Sequence, residues 1–209
     1  MNVMDVLSTH RIVPVVVLHR VVDAGPLGEA LVAGGLPVAE VTFRTSAAVD
    51  SLAELATRGD ILVGAGTVLT PAQVDLAVDA GARFIVSPGL SRSVVERARE
   101  RGIDVLPGAV TATEIQTALE LGIKTVKFFP AETSGGAAAI KALAAPFTGV
   151  TFVPTGGVGP ANLKDYLSLS SVAAVGGSWM VPAAAIDAGD FETVQRLTAR
   201  AVAALKDLP

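Results

Sequence analysis

Apolar and polar positions alternate between two regimes along the 209 residues. Short runs rich in β-branched residues fall at Ile12–Leu18, Pro37–Phe43, Ile61–Gly66, Arg83–Ser87, Ile103–Leu106, Thr125–Phe129, Val150–Pro154 and Val172–Val175. Between them lie segments rich in Ala, Leu, Glu and Arg whose apolar positions recur at helical spacing. Centred on Val15, Glu40, Val63, Ile85, Val105, Lys127, Phe152 and Ala174, the runs follow one another at steps of 20 to 25 residues. Each step has room for one strand, one helix and two short connections. Eight such units fill the chain and predict an α/β fold. The pattern favours a single (β/α)8 TIM barrel over residues 1–209, with a doubly wound open sheet as the alternative. The segment Asn2–Arg11, left over before the first strand, is expected to form an extra N-terminal helix on the barrel floor.

The punctuation agrees with this division. Thr70-Pro71-Ala72-Gln73 reads as a helix start, with a cap, a proline at the first helical position and Gln three residues after the cap. Ser93 to Glu96 and Thr111 to Glu114 repeat the capping-box spacing. Gly35, Gly59, Gly81, Gly102, Gly122 and Gly149 sit shortly before strands, where the preceding helix must end.

Composition narrows the picture. Hydrophobic residues make up 51% and charged residues 17%, with a mean hydropathy of +0.56. Disorder is excluded, and strands buried on both faces are expected. The net charge is −4 and no basic tract occurs, which argues against nucleic acid as a partner. There is no cysteine, so disulfides, thiolate nucleophiles and iron–sulfur ligation are ruled out, and a reducing cytoplasm fits. The longest early apolar run, Ile12–Leu18, falls short of a membrane span, and the N-terminus lacks the basic start of a signal peptide. No membrane association is expected.

Two strands break the rule that a parallel strand buried on both faces is apolar throughout. In Val38-Ala39-Glu40-Val41-Thr42-Phe43-Arg44, alternation puts Glu40, Thr42 and Arg44 on one face. In Thr125-Val126-Lys127-Phe128-Phe129, Lys127 shares a face with Thr125 and Phe129, while Val126 and Phe128 oppose it. If the charged faces point into the barrel, Glu40 and Lys127 meet across it from the second and sixth strands. Arg44 then stands at the mouth, where barrel enzymes build their sites. Lys127 is the only one of five lysines in mid-strand. The plain alternative is a buried ion pair with no catalytic part. The chemical reading is Schiff-base formation, in which a neutral lysine amine attacks a carbonyl and a nearby carboxylate moves protons. Burial favours the neutral amine of a lysine and an adjacent carboxylate favours the ammonium. The sequence does not weigh the two.

Strand seven runs into Pro154-Thr155-Gly156-Gly157, and strand eight into Gly176-Gly177-Ser178. These are the loops in which barrels often hold phosphate, and bare glycines let backbone N–H groups approach an anion. A following helix N-terminus would add to the field. A single Gly-Gly is usually only a turn. His10 and His19, the only histidines, read as solvated or packing residues, and no catalytic metal is expected. Trp179 is placed either at the mouth or in the core.

The motifs Glu40-Val41-Thr42-Phe43-Arg44-Thr45, Val63-Gly64-Ala65-Gly66-Thr67-Val68, Ser87-Pro88-Gly89, Lys127-Phe128-Phe129-Pro130-Ala131-Glu132, Pro154-Thr155-Gly156-Gly157 and Gly176-Gly177-Ser178-Trp179 occur in this order. Together they resemble the 2-keto-3-deoxy-6-phosphogluconate (KDPG) and 4-hydroxy-2-oxoglutarate (KHG) aldolase family over nearly the whole chain. The resemblance implies a (β/α)8 barrel, a homotrimer and a carbon–carbon lyase of class I that needs neither metal nor cofactor. It implies that Lys127 is the Schiff-base lysine and Glu40 the general acid/base. Arg44, Thr67 and Pro88 match residues around a pyruvate moiety, and Phe129 an aromatic packing there. Thr155, Gly156, Gly157, Gly177 and Ser178 match the distal, phosphate-binding region of a 2-keto acid phosphate. The first strand varies among relatives, some of which carry an arginine where this chain has Val17. Three alternatives stay open: the galactonate epimer as substrate, a sugar-phosphate isomerase or epimerase using Glu40 as base, and a non-catalytic phosphosugar-binding barrel.

Overall fold

The computed structural model describes residues 3–206. In chain order its elements are α1 (Val3–His10), β1 (Ile12–Val16), α2 (Ala24–Ala33), β2 (Val38–Thr42), α3 (Ala48–Thr57), β3 (Leu62–Gly66), α4 (Pro71–Asp79), β4 (Phe84–Val86), α5 (Arg92–Glu100), β5 (Asp104–Leu106), α6 (Ala112–Glu120), β6 (Thr125–Phe128), α7 (Gly136–Ala144), β7 (Thr151–Pro154), α8 (Leu163–Leu167), β8 (Val175–Gly177), α9 (Ala183–Asp187) and α10 (Phe191–Ala204). Every strand pairing is parallel. Six strands form one curled sheet in the order β5-β4-β3-β2-β1-β8, and β6 and β7 form a second, two-stranded sheet.

The expected number and order of strands is present, but not as one regular ladder. Single bridges join the two sheets, Gly108 to Lys127 on one side, and Phe152 to Val172 and Thr155 to Gly176 on the other. Proline explains the first gap. Pro107 has no N–H to donate, so the chain pairs around it: Lys127 N donates to Pro107 O at 2.8 Å and Ala109 N to Lys127 O at 2.9 Å. A second correction concerns the eighth strand, expected at Val172–Val175 and found at Val175–Gly177. The glycine pair is thus strand rather than loop. A Cβ at Gly176 would stand 2.3 Å from Thr155 Oγ1, and one at Gly177 1.8 Å from the Trp179 ring. Close approach, not a turn, requires glycine there.

Local signals set most helix boundaries. Thr70 and Thr111 form complete capping boxes with Gln73 and Glu114. Each such cap contributes about 1 kcal/mol by satisfying orphan N–H groups. The cap expected at Ser93 lies two residues earlier, at Ser91, which accepts from Val94 N. Five of the six glycines expected to end helices have positive φ; Gly149 does not, because α7 stops at Ala144, well before it. The helix expected over Asn2–Arg11 appears as α1, with Asn2 outside the described residues. Its Leu7 is buried, and Met4 and Asp5 line a cleft with Asp104 and Thr125, which begin β5 and β6. Helix α1 therefore lies against the N-terminal ends of the strands.

One contiguous cluster of buried apolar residues runs through strands and helices. On the outer face of β6, Phe128 packs edge-on against Phe152 of β7, with centroids 6.3 Å apart. That contact fixes the facing of β6 and turns Lys127 inward. Among the described residues no helix is long and apolar enough to cross a membrane.

Candidate active site

The inward faces of β2 and β6 bring the two anomalous charges together. Lys127 Nζ lies 3.2 Å from Glu40 Oε1, and the residues are 4% and 3% exposed. Burying both charges costs several kcal/mol per ion, which their attraction repays only with good geometry. The neighbouring strand is cut to fit. Register sets Glu40 beside Gly64 and Thr42 beside Gly66. A Cβ at Gly66 would stand 2.3 Å from Glu40 Oε1 and 2.6 Å from its Cγ. A Cβ at Gly64 would stand 2.3 Å from the Phe84 ring, which occupies that space. Thr42 is fully buried and donates to Val16 O at 2.8 Å, tying β2 to β1.

Phe129 continues the inward face of β6, with its ring centroid 5.2 Å from Lys127 Nζ. The same ring lines a cavity of about 170 Å³ at the C-terminal ends of the strands. Arg44, Thr155, Gly156, Gly157, Gly177 and Ser178 share that cavity, together with Val15 and Val158. Seven of the expected site residues thus gather in one space, with the Lys127–Glu40 pair buried beyond Phe129. Arg44 is the only charged residue in the lining.

Two expected residues are not in the lining of this cavity. Thr67 accepts from Arg44 Nε at 3.2 Å. Its φ is +59°, a region that a β-branched residue rarely enters, so the surrounding fold must hold it there. Pro88 lies against Gly108, where a Cβ would stand 2.0 Å from Pro88 O, and Gly108 is the residue that bridges to Lys127. The glycines after β7 take positive φ, +95° at Gly156 and +81° at Gly157. The helices that follow the two glycine segments begin only at Leu163 and Ala183 and span five residues each. The helix-terminus contribution expected for an anion has no long helix behind it.

Sequence reasoning missed three features. Val15 reaches the cavity from β1, where the sequence reading drew attention only to Val17, just past the strand. Arg20, beyond that strand, donates to Asp23 at 2.9 and 2.8 Å. The Phe84 ring over Gly64 was not foreseen. Glu132, quoted only as part of a motif, accepts a short hydrogen bond from the hydroxyl of Tyr166. Two further residues lie elsewhere. His19 Nδ1 meets Asp187 Oδ1 at 2.9 Å on the surface, and burial pushes His10 below the usual histidine range. Trp179 packs over Gly177 and lines a separate groove with Leu163 and Leu197.

Comparison with known proteins gives a consistent result. The family model described as Aldolase: KDPG and KHG aldolase matches residues 3–197. A 2-dehydro-3-deoxy-phosphogluconate aldolase of Treponema pallidum is 50% identical over 198 residues, covering 94% of this chain and 94% of that protein. The KHG/KDPG aldolase of Escherichia coli K12 is 46% identical over 203 residues, covering 97% and 95%. Among solved structures, a KDPG aldolase from Legionella pneumophila superposes with a TM-score of 0.92 at 41% identity, covering 96% of this chain and 98% of that one. That crystal held pyruvate as a covalent carbinolamine intermediate.

Proposed function

Because the chain belongs to the KDPG and KHG aldolase family, we propose that it cleaves 2-dehydro-3-deoxy-6-phosphogluconate to pyruvate and glyceraldehyde 3-phosphate through a Schiff base on Lys127. The same chemistry extends to 4-hydroxy-2-oxoglutarate, yielding pyruvate and glyoxylate. The observation that carries the reading is the buried Lys127–Glu40 contact of 3.2 Å, with Lys127 Nζ 5.2 Å from the centroid of the Phe129 ring that lines the cavity. A carboxylate at that distance can take the ammonium proton and free the amine for attack.

The Lys127 amine adds to the C2 carbonyl and its own proton passes to the new alkoxide; Glu40 then gives the proton it took from the ammonium to the carbinolamine hydroxyl, which departs as water and leaves an iminium with Glu40 again a carboxylate. Glu40 accepts the proton of the C4 hydroxyl as the C3–C4 bond breaks. The bonding electrons flow into the iminium, giving an enamine and releasing the aldehyde. Glu40 returns that proton to C3 of the enamine, and water hydrolyses the resulting imine, which frees the amine and releases pyruvate. Arg44, held by Thr67, is the cation offered to the substrate carboxylate, with Pro88 beside it. Phe129 packs on the reacting end. Thr155, Gly156, Gly157, Gly177 and Ser178 face the distal phosphate with hydroxyls and backbone. From the family resemblance we take residues 1–209 as one catalytic domain, its eight strands closing through the single bridges into a (β/α)8 barrel. On the same resemblance we take the enzyme to be a homotrimer that needs neither metal nor cofactor, and the absence of cysteine suits a reducing cytoplasm.

Borohydride trapping with pyruvate tests the reading. Intact mass should show one reduced pyruvate adduct per chain, and peptide mapping should place it on Lys127. Lys127→Met should give no adduct and no cleavage. Far-UV circular dichroism checks that this variant is folded, since an unpartnered buried Glu40 costs about 3–5 kcal/mol. A folded wild-type chain that traps no pyruvate would turn attention to the isomerase reading, with Glu40 as base.

A further inference from the structure

Glu132 follows β6 by four residues, one turn of chain beyond Phe129, in a segment that the chemistry above does not use. Its backbone runs beside the turn after β7. Ala131 N donates to Thr155 O at 2.8 Å, and Glu132 N to Gly156 O at 3.1 Å. Its side chain then crosses the turn. A Cβ at Gly157 would stand 2.4 Å from Glu132 Cγ and 2.7 Å from its Cβ, so the Glu132 stem packs directly on the Gly157 backbone. At the far end the carboxylate accepts from the hydroxyl of Tyr166, a residue of α8 that is 1% exposed. Burial, helped by the negative charge of Glu132, pushes the Tyr166 phenol far above its usual range, so its proton stays in place to donate. The other side of the turn is fixed by Asn162, whose Nδ2 donates to Gly157 O at 3.0 Å.

The turn is therefore held in its left-handed conformation from both sides. A glutamate that only solvated a loop would have neither a buried phenolic partner nor a glycine backbone beneath its stem. We propose that Glu132, anchored by Tyr166, is a positioning residue that sets the Thr155–Gly157 turn and so determines how strongly the enzyme prefers a substrate with a distal phosphate over the same 2-keto acid without one. The inference rests on the reading above, in which that turn faces the phosphate. Neither residue touches the reacting atoms.

The test compares cleavage of 2-dehydro-3-deoxy-6-phosphogluconate with that of 2-dehydro-3-deoxygluconate, which keeps the carbon skeleton and lacks the phosphate. Glu132→Ala should raise KM for the phosphorylated substrate roughly tenfold, the worth of one hydrogen bond to a charged group. Its kcat/KM for the unphosphorylated substrate should stay within about twofold. Tyr166→Phe should do the same, and the double variant should be no worse than either single one, because both remove the same bond. Glu132→Gln keeps an acceptor oxygen for the phenol and should restore most of the preference. Equal losses on both substrates would mark the pair as a plain structural staple and overturn the proposal. So would an unchanged ratio in a wild-type background that traps pyruvate on Lys127. A wild-type chain that traps no pyruvate removes the underlying reading, and the proposal with it.

Discussion

At the scale of single residues, the site depends as much on what is missing beside Glu40 as on Glu40 itself. Gly66 ends β3 with its O accepting from Phe43 N at 2.7 Å, so its backbone is not free to retreat. In Gly66→Ala the new methyl would need the place of the Glu40 carboxylate, 2.3 Å away. The carboxylate has to leave Lys127, and overpacking of this kind costs about 1–3 kcal/mol. We expect kcat for cleavage to fall by roughly 10²–10⁴, the value of a displaced acid–base group, with a modest drop in Tm. Steady-state kinetics and thermal unfolding check this, and a wild-type rate would mean that Glu40 need not sit where it does. Glu40 and Lys127 were legible in the sequence because a charge in the middle of an apolar strand is anomalous by itself. Gly66 was legible only as a motif letter, since its reason is a side chain from the adjacent strand. Glu132 was not legible at all as a functional residue. A glutamate in a polar loop looks solvated until Tyr166, 34 residues on, is folded against it.

At the scale of elements, the boundaries governed by local chemistry could be read and those governed by neighbours could not. Thr70, Pro71 and Gln73 contain their own instructions, as do Thr111 and Glu114. The start of β8 depends on Thr155 and Trp179 packing against its glycines, which no window of sequence around Val172 reveals. The contact of α10 with α2 has the same origin and leaves a testable defect. A Cβ at Gly34, which follows α2, would stand 2.6 Å from Thr198 Cβ, so the two helices meet almost backbone to backbone there. Thr198 is fully buried, and its Oγ1 has no hydrogen-bond partner. A buried hydroxyl left unpaired costs about 1–3 kcal/mol, and a methyl of the same shape does not. Thr198→Val should therefore stabilise the protein by about 1 kcal/mol, raising Tm by roughly 2–4 °C at this chain length. A lower Tm in thermal unfolding would show that the hydroxyl is satisfied in solution.

At the scale of the whole molecule, stability has a sign with respect to pH that follows from a few surface carboxylates. Asp75 of α4 accepts from Arg97 of α5 and from Arg101, which caps that helix, at 2.8 and 2.5 Å, and these bonds hold its carboxyl below the usual range. Burial works to raise Glu114, but the hydrogen bonds from Val110 N and from Thr111 outweigh it and the net direction is down. Asp190 is held low by the Thr193 side chain and N–H as it caps α10. Each of these groups has a lower pKa folded than unfolded. Each therefore contributes stability that is fully present above its unfolded value, about 4 for Asp and Glu, and that is lost as pH falls through the folded value. Tm should be nearly flat from pH 8 to about 5 and fall steeply below 4. Protonation also carries the net charge upward from −4, and the self-repulsion that follows weakens every variant alike. Asp75→Asn separates the two effects. Its Tm should lie below wild type at pH 7, where only the wild-type carboxylate is charged. The gap should narrow as pH falls below about 4 and close once the pH has passed through the lowered folded-state value of Asp75, where both side chains are neutral. Differential scanning calorimetry across that range decides the matter, because a gap that is constant with pH would mean that Asp75 links α4 to α5 by shape rather than by charge.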